Sequence, residues 1–223
     1  MAKIEIACFN NKAAKIAQEA GAHRVELCAG MEVGGTTPAK SDIIEVRNAV
    51  NIDLNVMIRP RGGNFVYSYD EFQQMKSEII VIKNLEVDGF VFGVLNSDGS
   101  INIEQNKILV DLADPLPCTF HRAFDEVNDK VKALEDVINC GFKTILTSGC
   151  EANVDLGLSN LKELVSQAED RIVIMPGGGL RSTNISGVLR ETKAKYFHSS
   201  AITDGGDTAV KQEVKELVKH AIL

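Results

Sequence analysis

The stretch Pro117-Cys118-Thr119-Phe120-His121-Arg122-Ala123-Phe124-Asp125 gathers the densest chemistry in the chain. A short apolar run stops on an imidazole, a guanidinium and a carboxylate, the groups that move protons and hold anions. The pattern recurs. Asn55–Ile58 leads into Arg59-Pro60-Arg61-Gly62-Gly63, Val173–Met175 into Pro176-Gly177-Gly178-Gly179, and Tyr196-Phe197 into His198-Ser199-Ser200. Polar groups at the carboxyl ends of apolar runs are where an α/β protein assembles a site.

Each cluster suggests its own chemistry. In Arg24-Val25-Glu26-Leu27-Cys28, alternation turns Val25 and Leu27 toward helices and Glu26 and Cys28 inward. A buried carboxylate needs a partner, and Arg59 and His121 are the available ones, with Glu5 able to join from the first strand. Glu26 and His121 thus form a candidate acid–base pair, with Arg59, Arg122 and Asp125 completing a candidate catalytic set. The same residues also suit an interior ion-pair network that only holds the barrel. Arg61, Gly177, Gly178, Gly179 and Ser199 form a candidate anion site, since bare backbone N–H groups and a bidentate guanidinium suit phosphate or carboxylate. A glycine run equally serves a tight strand-to-helix turn. Cys8 and Cys28 end neighbouring strands, and paired thiolates there suit a soft ion such as Cu(I), or zinc with further ligands; as buried thiols they also serve as small apolar side chains. His121 and His198 lack H-x-H or H-E-x-x-H spacing, and no nucleophile–base–orienter triad is recognisable.

The elements that must position these groups alternate strand and helix eight times. Strands are expected at 4–8, 24–28, 55–58, 90–92, 118–120, 144–146, 173–175 and 195–197. Helices are expected at 12–20, 41–49, 69–85, 103–112, 130–139, 157–168, 183–190 and 210–222. Eight β-α units without a linker read as one (β/α)₈ TIM barrel spanning residues 1–223 as a single domain. A doubly wound sheet is the competitor, but no G-x-G-x-x-G follows the first strand.

Composition narrows the function classes. The chain has 223 residues, 44% hydrophobic and 25% charged, which is globular rather than disordered. A net charge of −7 argues against nucleic acid as a partner, because phosphate backbones need a basic face. No run approaches the roughly 18 apolar residues of a membrane helix, and Met1-Ala2-Lys3-Ile4-Glu5 opens no secretory signal. Five widely spaced cysteines without a C-x-x-C pair indicate reduced thiols and a cytoplasmic location.

The strings Glu26-Leu27-Cys28-Ala29-Gly30, Gly34-Gly35-Thr36-Thr37-Pro38 and Met57-Ile58-Arg59-Pro60-Arg61-Gly62-Gly63 resemble the copper homeostasis protein CutC family. So do Thr119 to Asp125, Leu146-Thr147-Ser148-Gly149, Met175 to Gly179 and Phe197 to Ser200, in order over residues 3 to 202. The resemblance implies a (β/α)₈ barrel, a cytoplasmic location, self-association, and a role in copper binding with Cu(I) ligands at Cys8 and Cys28. Cys118, where an aliphatic residue is usual, departs from the pattern, and Cys140 and Cys150 need not be family features. Most motif residues are not soft ligands. A TIM-barrel enzyme acting on a small anionic or phosphorylated metabolite is therefore the alternative to a copper-binding protein, and a homodimer is the default assembly.

Overall fold

Short runs rich in Val, Ile and Phe, each followed by a turn and a helix, fold as a parallel barrel. The computed structural model describes residues 2–221. The strands are β1 (Lys3–Cys8), β2 (Arg24–Leu27), β3 (Asp53–Met57), β4 (Gly89–Phe92), β5 (Cys118–Phe120), β6 (Thr144–Thr147), β7 (Val173–Pro176) and β8 (Tyr196–Ser199). The helices are α1 (Asn11–Glu19), α2 (Lys40–Ala49), α3 (Tyr69–Ile82), α4 (Ile103–Ala113), α5 (Lys130–Cys140), α6 (Leu158–Ala168), α7 (Ile185–Thr192) and α8 (Lys211–His220). Each helix follows its strand, and parallel ladders run in the order β7-β6-β5-β4-β3-β2-β1-β8. The chain is a (β/α)₈ barrel, as its alternation predicts.

Helix starts follow local chemistry. Asn10 and Asn102 cap α1 and α4 through their side chains, Asp129 caps α5, and Ser68 with Glu71 forms a reciprocal capping box on α3. The main core lies between the strands and the helix ring, where Ile4, Ile6, Val25, Leu54, Phe90, Phe120 and Phe197 are buried. Among the described residues no helix is long and apolar enough to cross a membrane.

Several boundaries differ from the sequence reading. β8 extends to Ser199, so His198 belongs to the strand and not to the loop after it, while α7 starts at Ile185. Arg122–Glu126 forms an unexpected 3₁₀ turn, because His121 caps it by accepting the Ala123 N–H. The last helix ends at His220; Ile222, its end expected from the sequence, lies outside the described residues.

One glycine is dictated by close approach. A Cβ on Gly157, at the start of α6, would stand 1.7 Å from the Ser148 carbonyl oxygen. Gly157→Ala is therefore expected to cost about 3 kcal/mol by forced backbone movement, read as a lower urea midpoint at unchanged slope.

Candidate functional site at the barrel mouth

The strand register decides which inward side chains meet. Glu5 pairs in register with Arg24 on one side and with His198 on the other. Arg24 Nε donates to Glu5 Oε2 at 2.5 Å, and His198 Nδ1 lies 2.7 Å from Glu5 Oε1. Both oxygens of a fully buried carboxylate are thereby engaged. Burial pushes the Glu5 carboxyl up, but the Arg24 charge and the His198 contact more than offset it and leave it at about 2. Burial opposes the charged form of His198 too, yet Glu26 and Glu5 raise it overall.

Glu26 sits one layer higher on β2, its Oε2 3.6 Å from His198 Nε2. Its Oε1 is buried with no hydrogen-bond partner among the described residues. Burial dominates here, His198 opposes it only in part, and the carboxyl is pushed up to about 7. The donor atoms of Glu5, Glu26 and His198 lie within 4.8 Å of one another, which is also the geometry of a cation site. Arg24 and His198 already occupy both Glu5 oxygens, so the cluster is an ion-pair network with one free oxygen, on Glu26.

Above the network opens a cavity of about 210 Å³ at the carboxyl ends of the strands. Glu26, Cys28, Met57, His121, Arg181 and His198 are among its walls. His121 Nδ1 accepts the Ala123 N–H at 3.3 Å, which leaves the ring proton on Nε2, and Nε2 has no partner among the described residues. Burial and then the Arg59 charge press the ring down to about 3, so it is neutral across the physiological range. Phe65 packs against it at 4.7 Å between centroids. Glu26 can exchange a proton near neutrality, and His121 can only donate a neutral hydrogen bond.

The other predicted residues divide between wall and scaffold. The pairing expected for Glu26 with Arg59 and His121 is replaced by pairing with His198, since β8 closes against β1. Arg59 lines the cavity but donates to the carbonyls of Val33, Gly35 and Gly63, which pins the loop after β2. Arg61 is not at the mouth: it binds Glu71 at 2.6 Å and the carbonyls of Asn64 and Val66. Asp125 accepts from Thr147, Ser148, Cys150 and Arg122, so both its oxygens organise the loop after β6. Arg122 adds a bond to Ser148 Oγ and packs its guanidinium on Gly178. Gly177 donates its N–H to Thr147, and a Cβ there would strike Leu146. The Ser199 hydroxyl is taken by Leu180 O and Arg181. Gly178 and Gly179 remain at the cavity.

The two cysteines face different ways. Cys28 lies on the cavity wall beside Met57, whereas Cys8 shares the helix-facing side of β1 with Ile4 and Ile6 and donates to Ile6 O. Burial, followed by the charge of Glu26, raises the Cys28 thiol well above its ordinary value. Arg24 and Arg181 escaped the sequence reading: one stands at the start of a strand, the other five residues past one, away from the strand-end motifs. Strand pairing could have exposed Arg24, because adjacent strands in register place it beside Glu5.

The CutC family model matches residues 2–203. The chain belongs to the CutC family. It is 46% identical over 198 residues to the copper homeostasis protein cutC homolog of Mus musculus, covering 89% of this chain and 73% of that one. The homolog of Homo sapiens is 44% identical over 198 residues, covering 89% and 72%. The solved structure of a CutC protein from Streptococcus agalactiae superposes with a TM-score of 0.87 at 36% identity, covering 91% of this chain and all of that one. Against the CutC motifs, Arg59, Arg61, Asp125 and Gly177 of this chain carry mainly loop-fixing contacts, while Glu26, His121 and Gly178 border open space.

Proposed function

We propose that this CutC protein is an enzyme that moves a proton on a small anionic metabolite held at the barrel mouth. The observation that carries the reading is that Glu26 Oε1 and His121 Nε2, both buried and both unpartnered among the described residues, belong to the walls of one cavity. Buried polar atoms are otherwise almost always hydrogen-bonded, and exceptions of opposite character in one cavity suit a ligand. Glu26, held at about 7, serves as base or acid, and His121 Nε2–H stabilises the oxygen on which charge develops. Arg59, with no carboxylate partner among the described residues, favours an anion in the cavity. The test is a melting-temperature screen of small carboxylates and phosphate esters, followed by turnover assays on hits. Glu26→Gln is expected to lower kcat at least a hundredfold at little change in KM, the range for a lost general base. A carboxyl resonance of Glu26 that titrates near 4 would overturn the assignment.

A second reading is copper homeostasis, the role named for the mouse and human relatives. It is favoured by a soft pair on the wall: Cys28 Sγ and the Met57 methyl each stand 3.5 Å from where a Gly35 Cβ would lie. Thiolate and thioether ligands select Cu(I). Anaerobic competition titration discriminates the ligand sets. Loss of tight Cu(I) binding in both Cys8→Ser and Cys28→Ser supports the cysteine pair. Loss in Cys28→Ser alone supports the cavity sulfurs, and unchanged affinity in both removes the copper reading. A cytoplasmic location and a homodimer accompany either reading, checked by fractionation and light scattering.

A further inference from the structure

We infer that the metabolite carries a phosphate monoester, and that its phosphoryl group docks in the loops after β7 and β8, between Arg181 and the backbone N–H groups of Gly178, Gly179 and Ser200. This rests on the proposed enzyme reading and names its substrate class. Three independent features place the phosphate there.

The first is unbalanced charge. Arg181 lines the cavity, and no carboxylate stands within salt-bridge distance of it among the described residues. Its guanidinium is instead oriented by the Leu180 carbonyl at 2.7 Å, Ser199 Oγ at 3.2 Å and the Ile202 carbonyl at 3.3 Å. Those contacts are all neutral. They fix the fork while leaving its charge and two of its five N–H donors, Nε–H among them, for a ligand.

The second is the backbone. Gly178 and Gly179 take consecutive left-handed conformations, φ +98° and +74°. Their N–H groups, and that of Ser200, donate to no acceptor among the described residues. Successive free N–H groups in such turns make a concavity that suits anion oxygens. The third is location: the loops after strands seven and eight are where barrels of this architecture seat phosphates. Arg122, whose charge is paired with Asp125 at 2.7 Å, borders the seat with its guanidinium carbon 3.0 Å from the position of a Gly178 Cβ.

The seat differs from the anion site expected from sequence, because Arg61 and the Ser199 hydroxyl are engaged elsewhere. It also lies in the same cavity as Glu26 and His121, so an ester held there by its phosphate presents its carbon skeleton to both.

The experiment is a titration of the ¹⁵N-labelled full chain with inorganic phosphate, and in parallel with glycerol 3-phosphate, against chloride at matched ionic strength. The Gly178, Gly179 and Ser200 amides are expected to shift together and saturably with both phosphates and not with chloride. Arg181→Gln should weaken binding about tenfold to a hundredfold, as expected for lost charge-assisted hydrogen bonds. Because Arg181 also braces its loop, the wild-type amide shifts stand as a test even where that variant fails to fold. Glu26→Gln should keep phosphate binding, which separates the seat from the acid–base reading. Shifts confined to other loops, or none, would overturn the seat while leaving Glu26 and His121 untouched. Binding of inorganic phosphate without the ester would overturn the substrate class.

Discussion

Replacing Arg24 by Met is expected to destabilise the protein by about 3 kcal/mol at pH 7, the lower end of the penalty for breaking a buried ion pair, because His198 still holds the other Glu5 oxygen. Glu5 is fully buried, and Arg24 Nε supplies the 2.5 Å bond to Oε2. Methionine keeps a comparable side-chain length but removes the guanidinium, and with it both the Glu5 bond and the contact of that cation with the Tyr196 ring at 4.8 Å. The sign with pH follows from Glu5. Its carboxyl is held at about 2, below the ordinary value of 4.5, so its contribution is present above pH 4.5 and fades as pH falls toward 2. The gap between wild type and variant should therefore shrink in acid. Guanidinium melts at pH 7 and pH 3 measure it, and a loss below 1 kcal/mol at pH 7 would show that the network contributes little to stability.

Glu26→Gln is expected to act in the opposite direction. The folded-state carboxyl stands at about 7 against an ordinary 4.5, so the wild type loses stability as pH rises through that window. At roughly 1.4 kcal/mol per pH unit, the uncharged variant should gain about 3 kcal/mol above pH 7 and nothing below pH 4.5. A gain in stability together with the proposed loss of kcat would be the signature of a site held at the expense of stability. Thermal melts at pH 5 and pH 8.5 decide it: equal gains at both values would assign the effect to packing, and no gain at pH 8.5 would mean that Glu26 is adequately paired as a carboxylate.

Why some groups were legible and others were not is seen in His121 and Arg59. Both follow apolar runs, and both do stand at the cavity. Their roles are not written in their positions. His121 is neutral because burial and the neighbouring Arg59 charge press its ring down to about 3. Arg59 looks from sequence like a partner for Glu26, yet three carbonyls from loops up to 26 residues away orient it. Arg61 and Asp125 are likewise engaged by local partners.

The barrel itself was determined by the chain's local order: eight apolar runs, each followed by a helical stretch without a linker, leave little other architecture. Alternation also determined that Glu26 and Cys28 face inward, because the side-chain period of a strand is intrinsic to its backbone. What only the tertiary structure decided is who meets whom. His198 reaches Glu5 and Glu26 because the eighth strand closes beside the first, 193 positions from Glu5. Cys8 and Cys28 end on opposite sides of the sheet because β1 and β2 pair Cys8 with Leu27, one residue out of phase with Cys28. Register and barrel closure are long-range properties, and the pKa values that follow from them belong to the fold and not to any motif.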